Sequence, residues 1–265
     1  MFPRQRQGLI LERIRESGGA KVADLARVLG VSDMTVRRDL AVLREKGLIE
    51  KVHGGATAPE PGVSHEPGFG AKVRLQTAEK DAIAATAAAL VEPGDTIGIS
   101  AGTTTRALAL RLADVAGLTV VTNSMPVAEV FDEAGRDDQT VILTGGVRTP
   151  SDALVGPFAV ATLRQLHVDL VFMGIHGMEP RSGFTTPNLL EADTNRAMVA
   201  CGRSLVIVGD STKWGTVGIS SFAGLDDAHI LVTDTGLPAD AVDLLGSTVG
   251  ELLLVETTAA AERTA

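Results

Sequence analysis

Three features are scarce or missing in this chain of 265 residues. No apolar run approaches the roughly 18 residues that a membrane-spanning helix needs, so we expect no membrane span. Residues 1–6 lack the apolar core of a signal peptide, and we therefore expect a cytoplasmic location. The single cysteine, Cys201, cannot form a disulfide within the chain, and the helical pattern around it indicates a small packing residue.

The charge is acidic overall, at −9, which by itself argues against binding to nucleic acid. Its distribution is uneven: residues 1–57 hold 11 Lys and Arg against 7 Asp and Glu, a net +4, and the remainder holds 13 against 26, a net −13. A basic head on an acidic body is typical of a DNA-reading domain joined to a second domain. Because +4 is modest, we expect two or more heads to act together in a dimer or tetramer.

Residues 31–40 predict a short turn followed by a capped helix. The hydroxyl of Ser32 can accept a hydrogen bond from a free backbone N–H one turn further on, which makes it a good N-cap. Val36, Leu40 and Leu43 recur at a helical spacing and form one apolar stripe. The helix therefore has a defined buried face.

Two adjacent arginines lie near the start of this helix. At about 100° per residue, Arg37 points roughly 100° and Arg38 roughly 200° away from the stripe, so that both face away from the core. A helix-turn-helix presents its recognition helix to the major groove in this way. An ordinary amphipathic surface helix with solvated arginines is the alternative for this pair alone.

The flanking segments favour the DNA-reading interpretation. Residues 4–17 predict an amphipathic first helix ended by Gly18-Gly19, residues 22–29 a short second helix, and Gly30 the tight turn common in helix-turn-helix units. Residues 48–52 alternate like a strand and meet a turn at 53–56. Three helices followed by strand, turn and strand predict a winged helix over residues 1–57.

The predicted DNA contacts come from the third helix and from the wing. They are Ser32, Met34, Thr35, Arg37, Arg38, Lys51 and His53. We expect the two arginines to contact bases or phosphates, Thr35 to bond a phosphate, and Lys51 and His53 to add backbone contacts. A turn residue with an incidental charge state is the alternative for His53.

Residues 58–78 are rich in Pro and Gly and predict a linker, residues 79–256 a second domain, and residues 257–265 a disordered tail. In the second domain, apolar strand-like runs alternate with helical patterns. The predicted strands are 96–100, 118–122, 140–144, 169–174, 204–209 and 229–233, and the predicted helices are 79–91, 104–113, 126–134, 157–166 and 190–202. Near-continuous apolar strands separated by helices predict a Rossmann-like parallel α/β sheet covered on both faces.

In such sheets, ligands bind at the carboxyl ends of the strands. The first strand ends at Ser100 and is followed by a glycine and three threonines that open a helix, Gly102, Thr103, Thr104 and Thr105. Glycine lets the backbone approach an anion, the helix start offers free N–H groups, and the hydroxyls add donors. This pattern predicts a phosphate site, and plain capping of the helix by threonine is the alternative.

Four further strands also end in polar or glycine-rich loops. These loops carry Asn123; Gly145, Gly146 and Arg148; Gly174, His176 and Gly177; and Lys213. Each loop alone is a weak signal, because glycine after a strand is usually only a turn. Five loops on one sheet edge, two of them with a cation, favour a phosphorylated polyol. A dinucleotide is disfavoured because no Gly-x-Gly-x-x-Gly follows the first strand.

Taken together, these motifs resemble the DeoR family of bacterial transcriptional regulators. The resemblance runs from about residue 4 to about residue 255 and rests on segments that occur in the family's order: 31–40, 51–56, 94–97, 102–105, 121–124, 145–148 and 210–215. It implies an N-terminal winged helix and a C-terminal sensor domain related to ribose-5-phosphate isomerase. It also implies a repressor of carbohydrate metabolism genes, controlled by a bound sugar phosphate or similar metabolite.

The resemblance also implies which residues line the sensor site. The matching positions are Gly102, Thr103, Thr104, Thr105, Asn123, Gly145, Gly146, Arg148, Asp169, Gly174, Gly177 and Lys213. Ser100 and His176 join the predicted effector site because they lie in the same loops. Ser100 stands where many family members carry an acidic residue, which would accept bonds from sugar hydroxyls more strongly than a serine does.

An enzyme is the alternative from another class: a sugar-phosphate isomerase fused to a DNA-binding head. Proton transfer between sugar carbons needs a base held over the substrate, and the loop 174–178 has no carboxylate. Asp169 begins its strand, at the wrong end for a ligand, and His176 and Glu191 are each more ordinarily exposed or solvated. Asp210 remains. We therefore predict binding without turnover, with no cofactor and no metal.

Overall fold

A computed structural model describes residues 3–17, 19–45, 48–52, 54–57, 69–73 and 75–257. The predicted contact residue His53, linker residues 58–68 and 74, and tail residues 258–265 lie outside the described residues. The chain divides between residues 62 and 63 into two compact units. No helix within the described ranges is long and apolar enough to cross a bilayer.

The first unit contains three helices and a small antiparallel sheet. Its elements are α1 (Pro3–Ser17), β1 (Gly19–Lys21), α2 (Val22–Leu29), α3 (Asp33–Glu45), β2 (Glu50–Val52) and β3 (Gly55–Thr57). The strands pair in the order β1-β3-β2, which adds one strand to the predicted wing. Gly19, expected to end the first helix, instead begins β1 and pairs with Thr57.

The apolar stripe of α3 forms the centre of this unit. Val36, Leu40 and Leu43 are buried, and they pack with residues of α1, α2 and β3 into one cluster. Gly30 ends α2 in the left-handed conformation, with its N–H bonded to the carbonyl of Ala26. The predicted winged helix-turn-helix is therefore confirmed.

A buried ion pair ties α1 to α3. The Arg6 Nε donates to Asp39 Oδ2 at 2.5 Å, and Gln7 Nε2 donates to Asp39 Oδ1 at 3.0 Å. Arg6 is 9% exposed and Asp39 4% exposed. Both oxygens of the Asp39 carboxylate accept hydrogen bonds from α1. These bonds fix α1 against α3 at the residue that follows Arg37 and Arg38.

The second unit is a parallel sheet covered by helices. Its helices are α4 (Phe69–Lys72), α5 (Thr77–Ala88), α6 (Thr103–Leu112), α7 (Met125–Ala134), α8 (Pro157–Leu163), α9 (Leu189–Cys201) and α10 (Ala239–Thr248), with a 3-10 turn at Ser211–Lys213. Its strands are β4 (Thr96–Ile99), β5 (Thr119–Thr122), β6 (Thr140–Leu143), β7 (Val147–Arg148), β8 (Leu154–Val155), β9 (Val168–Gly174), β10 (Gly177–Glu179), β11 (Gly183–Thr186), β12 (Gly202–Val208), β13 (Ser220–Ala223), β14 (Ile230–Asp234) and β15 (Glu251–Val255).

Seven strands form the central sheet, in the order β15-β14-β12-β9-β4-β5-β6. Every adjacent pair is parallel. The chain runs outward from β4 to β6, returns to β9 beside β4, and then runs outward in the other direction to β15. The sheet is therefore doubly wound, and its order reverses between β4 and β9. This confirms the predicted Rossmann-like parallel α/β fold class.

Each face of the sheet has its own apolar core. One cluster joins α5, α6 and α7 to the sheet, with Ile83, Leu108 and Phe131 among its buried members. The other joins α8, α9 and α10 to the opposite face and includes Cys201 and Phe184. Because both faces are covered, the strands are apolar on both sides, which explains their near-continuous apolar sequences.

Several elements differ from the sequence-based expectation. The predicted strands and helices appear with ends displaced by a few residues, but α10, β15 and the short antiparallel strands β7, β8, β10, β11 and β13 were not predicted. These short strands have only two to four residues each, too few to show an alternation of apolar and polar residues, so no periodic signal marks them. Residues 69–72 and 77–78, assigned to the linker by their sequence, belong to helices.

Replacing Asp39 tests the ion pair between α1 and α3. Asp39→Ala leaves Arg6 buried without this carboxylate, and loss of one partner from a buried pair costs about 3 kcal/mol or more. Urea unfolding of the full chain, monitored by circular dichroism, measures the loss in the free energy of unfolding. Asp24→Ala is the control, because its ion pair with Arg27 is largely exposed and should contribute little. Equal losses in the two variants would contradict the assignment.

The thiol of Cys201 provides a test of core packing. Burial raises the pKa of Cys201 to about 11, so the thiol stays protonated at pH 8 and offers almost no nucleophilic thiolate. We expect the native chain to resist a disulfide reagent such as DTNB at pH 8 and to react fully in guanidinium chloride. Rapid reaction of the native chain would show that this part of the core opens readily.

Candidate functional site

A cavity of about 390 Å³ opens at the carboxyl ends of the central strands. It lies at the reversal of the strand order, since residues 101–104 follow β4 and residues 174–176 follow β9. This is the edge where doubly wound sheets bind their ligands. Its volume is within the range of ordinary small-molecule sites.

The start of α6 forms one side of the cavity. Gly102 precedes the helix, and no side chain among the described residues caps the helix start. Thr103 and Thr104 line the cavity, so the free N–H groups of the first turn lie beside it. Asn123 braces the preceding loop: its Oδ1 accepts from Ala101 N at 3.0 Å, and its Nδ2 donates to the carbonyl of Leu154 at 3.2 Å. An anion in the cavity would therefore face the free N–H groups of a helix start whose position is fixed by Asn123.

Three lysines line the same cavity: Lys72 from α4, Lys80 from α5 and Lys213 from the 3-10 turn. Lys80 is buried, and its Nζ donates to the carbonyl oxygens of Lys72 at 2.6 Å and of Leu75 at 2.5 Å. The side chain of Lys213 is 30% exposed, and its Nζ lies 3.8 Å from Asp210 Oδ2. The cavity is thus locally basic in an acidic domain.

Asp210 is the buried counter-charge of this cluster. Its Oδ1 accepts from the backbone N–H of Thr212 at 3.2 Å and from the Thr212 hydroxyl, while its Oδ2 has no hydrogen-bond partner among the described residues. Burial lowers the pKa of Lys80, Asp210 opposes this by raising it, and Lys213 and Lys72 lower it further. Without a bound anion, the three lysines of this cluster therefore outnumber its buried counter-charge, Asp210.

Three of the four residues weighed as bases in an enzyme line the cavity: His176, Glu191 and Asp210. Glu191, which the sequence placed at a solvated helix start, is buried and accepts from the hydroxyls of Thr149 at 2.7 Å and Thr186 at 3.1 Å. His176 lines the cavity, and its backbone N–H bonds to the carbonyl of Thr185. Asp169 lies at the amino end of β9, where its Oδ2 accepts from a backbone N–H.

The structure brings together seven of the predicted effector residues. They are Gly102, Thr103, Thr104, Asn123, Gly174, His176 and Lys213. Six others lie outside the cavity lining: Ser100, Thr105, Gly145, Gly146, Arg148 and Gly177.

Hydrogen bonds and close packing account for several residues of the second group. The Ser100 Oγ accepts from Gly174 N at 2.9 Å and so joins the loops after β4 and β9. Arg148 pairs with Asp152, with 2.7 Å between Nε and Oδ1. A Cβ at Gly146 would lie 2.5 Å from the Val155 carbonyl oxygen, and the residue has a φ of +122°. These contacts explain the local roles of the three residues outside the cavity lining.

Sequence reasoning missed Lys80, Lys72 and the burial of Glu191. One signal was present for Lys80: Ile83, Ala84 and Ala87 follow it at helical spacing, and all four residues are buried on α5. A lysine on the apolar face of an amphipathic helix indicates either a buried ion pair or a ligand. No group of three or more His, Cys, Asp or Glu side chains within the described ranges is placed to hold a metal ion.

The predicted DNA-contact residues within 32–38 lie at the start of α3, on its exposed side. Ser32 Oγ accepts from Thr35 N at 3.3 Å and lies 2.9 Å from the Thr35 hydroxyl, which is the expected cap. Met34, Arg37 and Arg38 are exposed, and Met34 reaches 75%. The backbone of Lys51 lies in β2, and His53 is outside the described residues.

Comparison with protein families gives two matches along the chain. The model described as the DeoR-like helix-turn-helix domain matches residues 6–61. The model described as the DeoR C terminal sensor domain matches residues 75–235. The two matches correspond to the two units of the structure.

Curated relatives match over most of their length. The regulator YgbI of Escherichia coli K12, named as an uncharacterized HTH-type transcriptional regulator, is 37% identical over 242 residues, 91% of this chain and 93% of the relative. The HTH-type transcriptional regulator GlpR of Haloferax volcanii is 37% identical over 241 residues, with the same coverages of 91% and 93%. A putative aga operon transcriptional repressor of Escherichia coli O157:H7 is 32% identical over 257 residues, 95% of this chain and 93% of the relative.

Solved structures show only a distant likeness. Ribose 5-phosphate isomerase A from Methanocaldococcus jannaschii is 14% identical, covers 52% of this chain and 54% of its own, and gives a TM-score of 0.38.

Proposed function

The chain belongs to the DeoR family of helix-turn-helix transcriptional regulators, and we propose that it is a repressor of carbohydrate metabolism genes controlled by a phosphorylated sugar or polyol. The observation that carries the effector class is the cavity at the reversal of the strand order. There, the free start of α6 meets three lysines, while Thr103 and Thr104 offer hydroxyl groups for hydrogen bonding.

The start of α3 carries the DNA-binding proposal. Arg37 and Arg38 are exposed beside the cap formed by Ser32, whereas the opposite side of α3 is buried. Arg37 and Arg38 contact bases or phosphates in the major groove, and Thr35 and Lys51 contact the DNA backbone. A relative is named as an operon repressor, which supports repression as the output.

The small net positive charge of the first domain indicates that two or more DNA-binding domains act together. The first 57 residues carry a net +4, which supplies few phosphate contacts for one head. A dimer or tetramer places two or more heads on repeated half-sites, so that the second contact becomes effectively intramolecular. The proposed partner is therefore a double-stranded operator with repeated half-sites.

Binding without turnover is favoured over isomerase activity. Each oxygen of the Glu191 carboxylate accepts a threonine hydroxyl, and Asp210 Oδ2 lies 3.8 Å from the Nζ of Lys213. A general base must be free to take the proton that it removes, whereas these two carboxylates are held by hydroxyls and by an ammonium group. Catalytic interconversion of ribose 5-phosphate and its ketose by the pure chain would reverse this conclusion.

A ligand screen tests the effector class. Phosphorylated sugars and polyols are added to the full chain, and the melting temperature is compared with that in the matched unphosphorylated compounds and in inorganic phosphate. A ligand present at about 100 times its Kd stabilises the bound fold by about 2.7 kcal/mol, which is readily seen as a thermal shift. We expect stabilisation by at least one phosphorylated compound and not by its unphosphorylated form. Equal stabilisation by both forms would contradict the phosphate site.

Truncation of Arg38 tests the DNA interface. A duplex selected from a random library by the wild-type chain serves as the operator. Arg38→Ala should weaken binding about tenfold, since such contacts are worth about 1–3 kcal/mol each, and should leave thermal stabilisation by the effector unchanged. Arg111→Ala, an exposed arginine in the last turn of α6, is the control with the same change in charge. A gel shift that shows equal affinity for both variants contradicts the assignment.

Truncation of Lys213 and of Thr103 tests the anion site. Each variant loses a donor at the cavity, and hydrogen bonds to charged groups are worth about 1.5–3 kcal/mol, so Lys213→Ala should weaken effector binding by about tenfold or more. DNA affinity without effector should stay at the wild-type value in both. Calorimetry with the compound identified in the screen measures the first quantity and a gel shift the second. Wild-type effector affinity in both variants would remove the cavity assignment.

A further inference from the structure

One wall of the cavity is built from residues near the N-terminal end of the second unit. Phe69, Lys72, Leu75 and Gln76 all line the cavity. We call the described residues 69–73, 75 and 76 the N-terminal wall. Its Phe69 N–H bonds to the carbonyl of Pro150 at 3.3 Å, which ties its first residue to the residue before Ser151, another member of the cavity lining. Any ligand in the cavity is therefore next to a segment that leads toward the first unit along the chain.

Lys80 holds this wall from α5. Its Nζ donates to the carbonyl oxygens of Lys72 and Leu75, at 2.6 Å and 2.5 Å. An ammonium group has three N–H donors, so these two bonds leave one N–H that has no acceptor among the described residues. Lys80 itself is 6% exposed and lines the cavity.

The charges around Lys80 make the empty site unfavourable for its ammonium. Burial lowers the pKa of Lys80, and the positive charges of Lys213 and Lys72 act in the same direction, while Asp210 and Glu79 oppose them. An anion in the cavity would supply the missing negative charge. It would attract the ammonium group of Lys80 and accept a charge-assisted hydrogen bond from it, which fixes the Nζ between the anion and the two carbonyl oxygens of the wall.

We propose that Lys80 is both an anion-binding residue and the link between effector and wall: it donates its third N–H to the anionic group of the effector while its other two N–H groups hold the carbonyls of Lys72 and Leu75. Occupancy of the cavity thereby tightens the N-terminal wall. The proposal rests on the proposed function, because it takes the phosphorylated effector as the anion. By linkage, a wall held in place raises the affinity for the anion by the same factor.

Hydrogen exchange of the full wild-type chain gives the first test. Exchange of peptides covering residues 69–76 is followed by mass spectrometry without ligand, with inorganic phosphate, and with the phosphorylated compound that stabilises the chain most. We expect exchange in this segment to slow by about fivefold or more at saturation, the lower end of ordinary coupling between two sites. Unchanged exchange in the presence of bound ligand would overturn the proposal.

A pair of lysine variants separates coupling from affinity. Lys80→Met keeps the length of the side chain and removes its charge and donors, whereas Lys213→Met removes a cavity lysine that makes no bond to the wall. Both variants should bind the ligand more weakly. At saturation, exchange at residues 69–76 should slow in Lys213→Met as in the wild type and should not slow in Lys80→Met. Slowing in both variants, or in neither, contradicts the role of Lys80.

The readouts keep two failures apart. If neither inorganic phosphate nor any phosphorylated compound binds by calorimetry, the effector class of the proposed function fails, and the role of Lys80 fails with it. If a phosphorylated compound binds but the wall does not respond in the wild type, only the role of Lys80 fails. Should Lys80→Met not fold, as judged by circular dichroism, the wild-type exchange result decides alone.

Discussion

The reversal of strand order between β4 and β9 is the constraint on which the second unit depends. The helices that follow β4 and β5 cover one face of the sheet, and those that follow β8 and β11 cover the other. The loops after the two central strands therefore diverge and open a cavity between them. The hydrogen bond from Gly174 N to Ser100 Oγ joins the two loops. The start of α6 and residues 174–176 are placed in the cavity by this topology.

Local charge matters more at this site than net charge. Residues beyond 57 carry a net −13, which would repel a phosphorylated compound at long range. Within the cavity, Lys72, Lys80 and Lys213 converge, and Asp210 is the close counter-charge of Lys213. Charges more than about a Debye length away are screened in solution, whereas charges within a partly buried cavity are screened much less. An acidic domain can therefore hold an anion at one basic point.

The sequence revealed those parts of the structure whose residues repeat regularly. The stripe of Val36, Leu40 and Leu43 predicted α3 and its exposed arginines, and the apolar runs predicted the parallel sheet. The loops after the strands predicted the edge at which the cavity opens. Contacts between distant residues, such as Arg6 with Asp39 or Lys80 with the Leu75 carbonyl, were not predictable, because nothing in local spacing encodes them.

The central claim is that occupancy of the cavity controls DNA binding, and one measurement tests it most directly. The affinity of the full chain for its selected operator duplex is measured by fluorescence anisotropy, with and without a saturating concentration of the phosphorylated compound that stabilises it. The account predicts a change in Kd of about 5- to 150-fold, the usual range of coupling between two sites. An unchanged Kd while calorimetry shows the compound bound would contradict the account.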